Sequence, residues 1–217
     1  SGRVGVDAIG RALGIGRGDE VVGPSMTFIA TATSVLHVGA RPVFADIDPE
    51  TFNLDPQDVQ RRITPRTKAI VAVHYGGQPA PLDELLAVAD EAGVALIEDA
   101  AEAHGAHYRG RPVGGFGRAG MFSFTPTKNI TTGEGGMVTT HDAALAQRLR
   151  LLRNHGIETP GRHVLVGHNW RLTEMQAAIG RVQLAKLPRI LAGKQANAMA
   201  LSGLLEEVPG VTPPARR

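Results

Sequence analysis

Along the 217-residue chain, short apolar runs alternate with longer stretches in which apolar residues recur at helical spacing. A helix-like stretch precedes Gly14-Ile15-Gly16-Arg17-Gly18, which reads as a helix terminus and turn because no strand leads into it. Val21-Val22 is a short apolar run, Thr27 to Val38 reads as a helix, and Pro42 to Ala45 reads as a strand ending at Asp46. Asp55 followed by Pro56 has the form of an N-cap with proline at the first helical position, opening a helix to about Ile63. Lys68 to Val73 is an apolar strand stopped at Gly76-Gly77. Leu82, Leu85, Leu86 and Ala89 share one helix face, and Val94 to Ile97 is the next strand, running into Glu98-Asp99. Met121 to Phe124 and Met137 to Thr140 complete the strands. Leu145, Leu149 and Leu152 mark a helix ending near Gly156. Thr173 with Gln176 makes a capping-box pattern for a helix to about Leu187, and a last helix runs from about Ile190 to Glu207.

Apolar strands separated by helices imply an α/β fold with a mainly parallel sheet covered on both faces. Ligands of such sheets sit beyond the carboxyl ends of the strands, which directs attention to Asp46, His74, Asp99 and Ser123. Composition changes this picture little. A net charge of +2 gives no electrostatic case for nucleic acid or an anionic membrane surface. No run reaches the length of a membrane span, and the absence of cysteine excludes a disulfide framework and fits the cytoplasm. The chain starts at Ser1 rather than Met and its last helical pattern trails into Pro213-Pro214, so the reading is a piece of a longer protein.

The chemistry concentrates in Phe122-Ser-Phe-Thr-Pro-Thr-Lys-Asn-Ile-Thr-Thr-Gly-Glu-Gly-Gly136. Lys128 is a lone cation among Thr, Gly and apolar residues. A desolvated lysine loses its charge more easily and can then form a Schiff base with an aldehyde. Ser123, Thr127, Thr131 and Thr132 offer hydroxyls, and the glycines offer main-chain N–H groups, that together suit a phosphate. A surface lysine on a polar loop is the plainer alternative. Asp99, at the end of an apolar strand, can pair with a cation or a ring nitrogen, or can simply cap the following Ala-Ala-Glu-Ala. His104 and His107 lack a third ligand at sensible spacing, so no metal site is expected.

Taken together, Ala12–Val22, Pro24–Ala32, Gly39–Asp48, His74–Pro79, Ile97–Ala106, Phe122–Gly136, Arg153–Gly156 and Gly167–Gly180 resemble the DegT/DnrJ/EryC1/StrS aminotransferases, in the family's order and over nearly the whole chain. The resemblance implies the fold type I large domain of transferases dependent on pyridoxal 5'-phosphate (PLP), a three-layer α/β/α unit around a seven-stranded, mainly parallel sheet. It implies that residues 1–187 form this domain and residues 188–217 a helix leading to an absent small domain. It also implies a homodimer with the active site at the subunit interface. In this sequence Lys128 matches the lysine that links to the cofactor and Asp99 the partner of the pyridine nitrogen. Ser123, five residues before the lysine, matches a phosphate ligand, and Phe28 an aromatic side chain stacked on the cofactor ring. Asn169 matches a residue that reaches the phosphate in the neighbouring subunit. Gly2 and Arg3 fall where the family has a Ser-Gly-Thr phosphate turn, with Arg3 in place of threonine. Glu102 stands where glutamine is common, beside the cofactor's phenolic oxygen.

The implied reaction moves an amino group from an amino acid, glutamate being the expected donor, to a keto sugar, with a nucleotide-linked 3- or 4-keto-deoxy sugar as the expected acceptor. Lys128 argues against the dehydratase branch, which has histidine there. A keto-cyclitol acceptor, a catalytically inactive PLP-binding regulator and a plain α/β binding module are the other readings.

Overall fold

The computed structural model describes residues 2–215; positions 1, 216 and 217, at the ends of the two expected domains, lie outside the described residues. Helix α1 (Gly2–Ala12) is followed by strand β1 (Glu20–Pro24), α2 (Ala30–His37) and β2 (Arg41–Ala45). Then come α3 (Pro56–Arg62), β3 (Thr67–Val73), a single turn of 3-10 helix (Tyr75–Gly77), α4 (Leu82–Ala92) and β4 (Ala95–Asp99). Two small ribbons, β5 (His107–Tyr108) with β6 (Arg111–Pro112) and β9 (Ile157–Thr159) with β10 (Arg162–His163), flank β7 (Ala119–Ser123), β8 (Gly136–Thr139) and α5 (Ala143–Arg153). The long helix α6 (Glu174–Glu206) comes last.

The central sheet runs β2-β1-β3-β4-β7-β8, parallel throughout except for β8, which lies antiparallel to β7. It has six strands among the described residues, not seven. The seventh followed from the family resemblance alone, whereas the chain's own apolar runs supply six.

Strand parity sorts the core into two layers. On β3, Ala69 and Val71 pack on one face with Val6 and Ile9 of α1, Val35 of α2 and Leu145 and Leu152 of α5. Ile70 and Ala72 point to the other face, against Val59 of α3 and Leu82, Leu85 and Ala89 of α4. On β4 the same two-residue period sends Ile97 to the first layer and Leu96 to the second. Asp99 therefore follows Ile97 to the α1–α2 side, and Glu98 follows Leu96 to the α4 side.

Local signals behave as their chemistry requires. Asp55 accepts the Gln57 amide at 2.9 Å with Pro56 next to it. Thr173 and Gln176 form a reciprocal box, the Thr173 hydroxyl accepting the Gln176 amide at 3.3 Å and the Gln176 side chain accepting the Thr173 amide at 3.1 Å. Two expectations need correction. The second helix begins at Ala30 rather than Thr27, because residues 26–29 form the wall of a cleft instead of a turn of helix. The two last helices are one, a single 33-residue element that passes through Pro188. Proline removes one main-chain hydrogen bond to the residue four earlier, here Leu184. Both residues are exposed, so water can satisfy the freed carbonyl.

Candidate active site

A cleft of about 770 Å³ opens at the carboxyl ends of the parallel strands. Strand β4 delivers Asp99 to it, β7 delivers Ser123, and the segment after β1 supplies Met26 to Ala30. Tyr75 enters from the turn after β3, and the β7–β8 connection brings Thr125, Thr127 and Lys128. Gly2 and Arg3, at the start of α1, close the wall beside Ser123.

The Lys128 loop is folded on itself. The Lys128 amide donates to the Thr125 carbonyl at 3.1 Å, the Thr132 amide to the Phe124 carbonyl at 3.1 Å, and the Phe124 amide to the Gly135 carbonyl at 3.0 Å. The Thr131 hydroxyl caps the same Phe124 carbonyl at 2.8 Å. With its stem so fixed, Lys128 extends its amine to the Glu102 carboxylate, 3.1 Å from Oε1, while keeping only 18% of its side chain exposed. The other oxygen of Glu102 accepts the Gly76 amide at 3.1 Å.

Asp99 is buried. Its Oδ2 accepts the Thr31 hydroxyl at 3.1 Å and its Oδ1 the Ala101 amide at 3.2 Å. Burial pushes the Asp99 carboxyl above the ordinary range, and these two donors with the Lys128 charge offset only part of that. A carboxylate held in this way seeks a cation or an N–H donor on its open side.

At the opposite end of the cleft, main chain and hydroxyl crowd together. A Cβ at Gly2 would lie 2.8 Å from Ser123 Cβ and 3.2 Å from its Oγ, so only glycine fits there. The first turn of α1 and the Ser123 hydroxyl thus lie side by side at this corner, and a helix N-terminus beside a hydroxyl suits an anion. The Arg3 guanidinium turns to the rim and donates to His37 Nδ1 at 2.6 Å. Phe28, 77% exposed, presents its ring at the mouth.

Seven of the expected residues, Lys128, Asp99, Ser123, Phe28, Glu102, Gly2 and Arg3, therefore line one cleft. Asn169 does not. It is exposed, in an isolated antiparallel bridge with Asn154. Asp46 also lies elsewhere, its amide donating to Asp58 at 2.7 Å. His74 sits wholly buried behind β4, and His104 is buried between Phe122 and Phe124 with neither ring nitrogen hydrogen-bonded. Thr31 escaped the sequence reading. Its spacing of four from Thr27, whose hydroxyl it meets at 2.9 Å, was the available signal. No group of three or more His, Asp or Glu that could hold a metal occurs among the described residues, and no helix there is long and apolar enough to cross a membrane.

Residues 1–217 match the DegT/DnrJ/EryC1/StrS aminotransferase family. The chain is 51% identical over 186 residues to the GDP-perosamine synthase of Caulobacter vibrioides, covering 85% of this chain and 50% of that protein. It is 47% identical over 216 residues to a pleiotropic regulatory protein of Geobacillus stearothermophilus, covering 96% and 58%. The crystal structure of S. venezuelae DesV in complex with a ketimine intermediate superposes with a TM-score of 0.97 at 44% identity, over 100% of this chain and 59% of that one. The chain thus spans between half and three-fifths of the length of these relatives.

Proposed function

The chain belongs to the DegT/DnrJ/EryC1/StrS aminotransferase family, and we propose that it is the cofactor-binding part of a PLP-dependent aminotransferase acting on a nucleotide-linked keto sugar. The observation that carries this reading is the meeting of Lys128 and buried Asp99 in one cleft, with the Gly2–Ser123 corner beside them. The residues fit the cofactor. The open side of Asp99 would take the pyridinium N–H, Ser123 and the first amides of α1 the phosphate, and Phe28 the ring face. When bound, the cofactor supplies an aldehyde for the lysine amine and a protonated ring that accepts an electron pair.

Each residue then has a task. Asp99, a carboxylate deprived of water, gains most by holding a cation and so keeps a ring nitrogen protonated. With the cofactor bound, the Lys128 amine would take the proton from the donor's Cα as general base and give it back as general acid. Glu102, hydrogen-bonded to both Gly76 and Lys128, sets where that amine rests. The donor is an amino acid, glutamate in our reading. The keto sugar would be the acceptor of that amino group.

The protein is further read as a cytoplasmic homodimer. Phe28 and Ile29 at the mouth of the cleft, and Met175, Ile179 and Val182 along one side of α6, are exposed apolar side chains that a second copy would cover. Asn169, outside its own cleft, then reaches the partner's phosphate. Residues 188–206 complete α6, which on this reading leads toward a second domain.

A catalytically inactive PLP-binding regulator is the second reading, favoured by the name of the Geobacillus relative and by the Glu102 and Arg3 departures. Turnover of glutamate and a nucleotide-linked keto sugar by the full-length protein separates the two. Amino-sugar formation that Lys128→Ala abolishes supports the enzyme. Cofactor uptake without turnover of any keto sugar or keto-cyclitol supports the regulator.

A further inference from the structure

Behind the cleft lies a buried pair that the proposed chemistry does not use. His74 and Glu98 have fully buried side chains, with His74 Nε2 3.1 Å from Glu98 Oε2. The Ala80 amide donates to His74 Nδ1 at 3.0 Å. Nδ1 is therefore the bare nitrogen, and Nε2 carries the hydrogen donated to Glu98. Glu98 also accepts the amides of Gly114, Phe116 and Gly117, at 2.6, 2.7 and 2.8 Å. The imidazole thus has one permitted tautomer and one permitted orientation.

That orientation matters because His74 begins the turn that enters the cleft. Its amide is tied to the Asp99 carbonyl at 3.0 Å, and its carbonyl accepts the Gly77 amide at 3.1 Å. Gly76 and Gly77 both take left-handed backbone angles, φ 59° and 87°, and a Cβ at Gly77 would lie 3.0 Å from the Glu102 carbonyl oxygen. The turn is pressed against the Glu102 main chain, and its Gly76 amide points at the Glu102 carboxylate. Glu102 has two oxygens, one for Gly76 and one for Lys128.

We propose that His74 and Glu98 are positioning residues for Lys128, acting through the Tyr75–Gly77 turn and Glu102. The inference rests on the reading of Lys128 as the lysine that captures the cofactor. A carboxylate at position 102 gives each donor its own oxygen, whereas a glutamine placed there turns an NH₂ group toward one of the two. His74→Gln keeps a donor near Glu98 but leaves the Ala80 amide without its acceptor, so the turn loosens while the hub on Glu98 persists.

The test uses the full-length protein stripped of cofactor, and follows the rate at which added PLP is captured. Capture is read from visible absorbance and from borohydride-fixed mass on the Lys128 peptide. His74→Gln slows capture by about tenfold, as does Glu102→Gln, and the double variant is no slower than either single one. Hydrogen exchange at the Gly76 amide speeds up in both single variants. Additive slowing in the double variant, or capture at the wild-type rate in either single one, overturns the inference. If His74→Gln does not fold, Glu102→Ala, at a half-exposed position, carries the test alone: unchanged Gly76 exchange or unchanged capture overturns it. Wild-type protein that never fixes PLP on Lys128 refutes the reading beneath, whereas capture indifferent to these variants refutes only the positioning role.

Discussion

Glu98 and Asp99 are neighbours on one strand, both carboxylic acids and both buried, yet their surroundings drive them in opposite directions. Burial opposes the charge of Glu98 more strongly than any other single influence, but His74 and the Gly117 and Gly114 amides together outweigh it and hold the carboxyl below the ordinary range. At Asp99 burial is again the largest influence, and the Ala101 amide and Thr31 hydroxyl do not overcome it, so the carboxyl is raised. The difference is one of parity. Successive side chains on β4 face opposite layers, and the α4 side offers a loop of amides where the α1–α2 side offers a cleft. A fully hydrogen-bonded carboxylate is structure, and a half-satisfied one is a site. Environments that separate two acids in this way make Asp99 the stronger candidate for chemistry.

The largest effect that sharpens the contrast is on turnover. Asp99→Asn removes the charge that would hold a protonated ring, and on the proposed reading kcat of the full-length protein for sugar amination falls by about 10²–10³. The same change relieves a buried, under-paired charge, so the cofactor-free protein gains about 1 kcal/mol in urea unfolding at pH 7. A variant that loses both activity and stability would mean that Asp99 is held for structure, like its neighbour.

Glu98→Gln is the mirror experiment. Four donors converge on Glu98, and an amide can accept only at its oxygen, so donors are left facing an NH₂ group. Unfolding free energy drops by about 3 kcal/mol, read from the urea midpoint at constant slope. An unaltered midpoint would break the comparison at this end.

Titration gives the two acids opposite signs. A folded carboxyl with a raised value binds a proton more readily than the unfolded chain. The Asp99 contribution therefore stabilises the cofactor-free protein progressively as pH falls from its raised value to the ordinary aspartate range. The Glu98 contribution is present above the ordinary glutamate range and is lost as pH falls through its lowered value. Unfolding measured across this span should show the first trend vanish in Asp99→Asn. Persistence of that trend would assign it to other groups. A further buried acid, Glu20, is held at about 2 chiefly by the Thr64 hydroxyl and by Arg66, so its contribution is likewise lost as pH falls from the ordinary glutamate range to about 2.

Much of this contrast was open to reading from the sequence, and the unread part has a common cause. The strands declared themselves as apolar runs, and their parity alone sends Ile97 and Leu96 to different layers. Asp99 and Ser123 stood out as polar groups at strand ends, and Lys128 as a lone cation in the segment that follows. What could not be read was which distant element each one meets. Thr31 reaches Asp99 across 68 positions, and Glu98 meets its loop amides across 16 to 19. The helix end placed near Leu187 was likewise not there. At Pro188 the break expected from sequence did not occur, because an exposed helix can leave one carbonyl to water. The seventh strand came from resemblance with no run of residues behind it, and it was the one part of the sheet that the chain does not form among the described residues.

The smallest effect tests the half-satisfied state itself. Thr31→Val keeps the shape of the side chain while removing the hydroxyl that donates to Asp99 at 3.1 Å. With one donor fewer, the Asp99 charge is less supported, so the cofactor-free protein loses about 1 kcal/mol at pH 7. The pH span over which Asp99 takes up its proton moves upward. Thr31→Ser, which keeps the hydroxyl, should leave that span where it was, and in an Asp99→Asn background the cost of Thr31→Val should shrink, because no charge remains to be supported. If Thr31→Val costs the same with aspartate and asparagine at position 99, the hydroxyl serves the packing of α2 and not the acid. Asp99 would then be less well held than its raised proton affinity already implies, and the gap between it and Glu98 would be wider still.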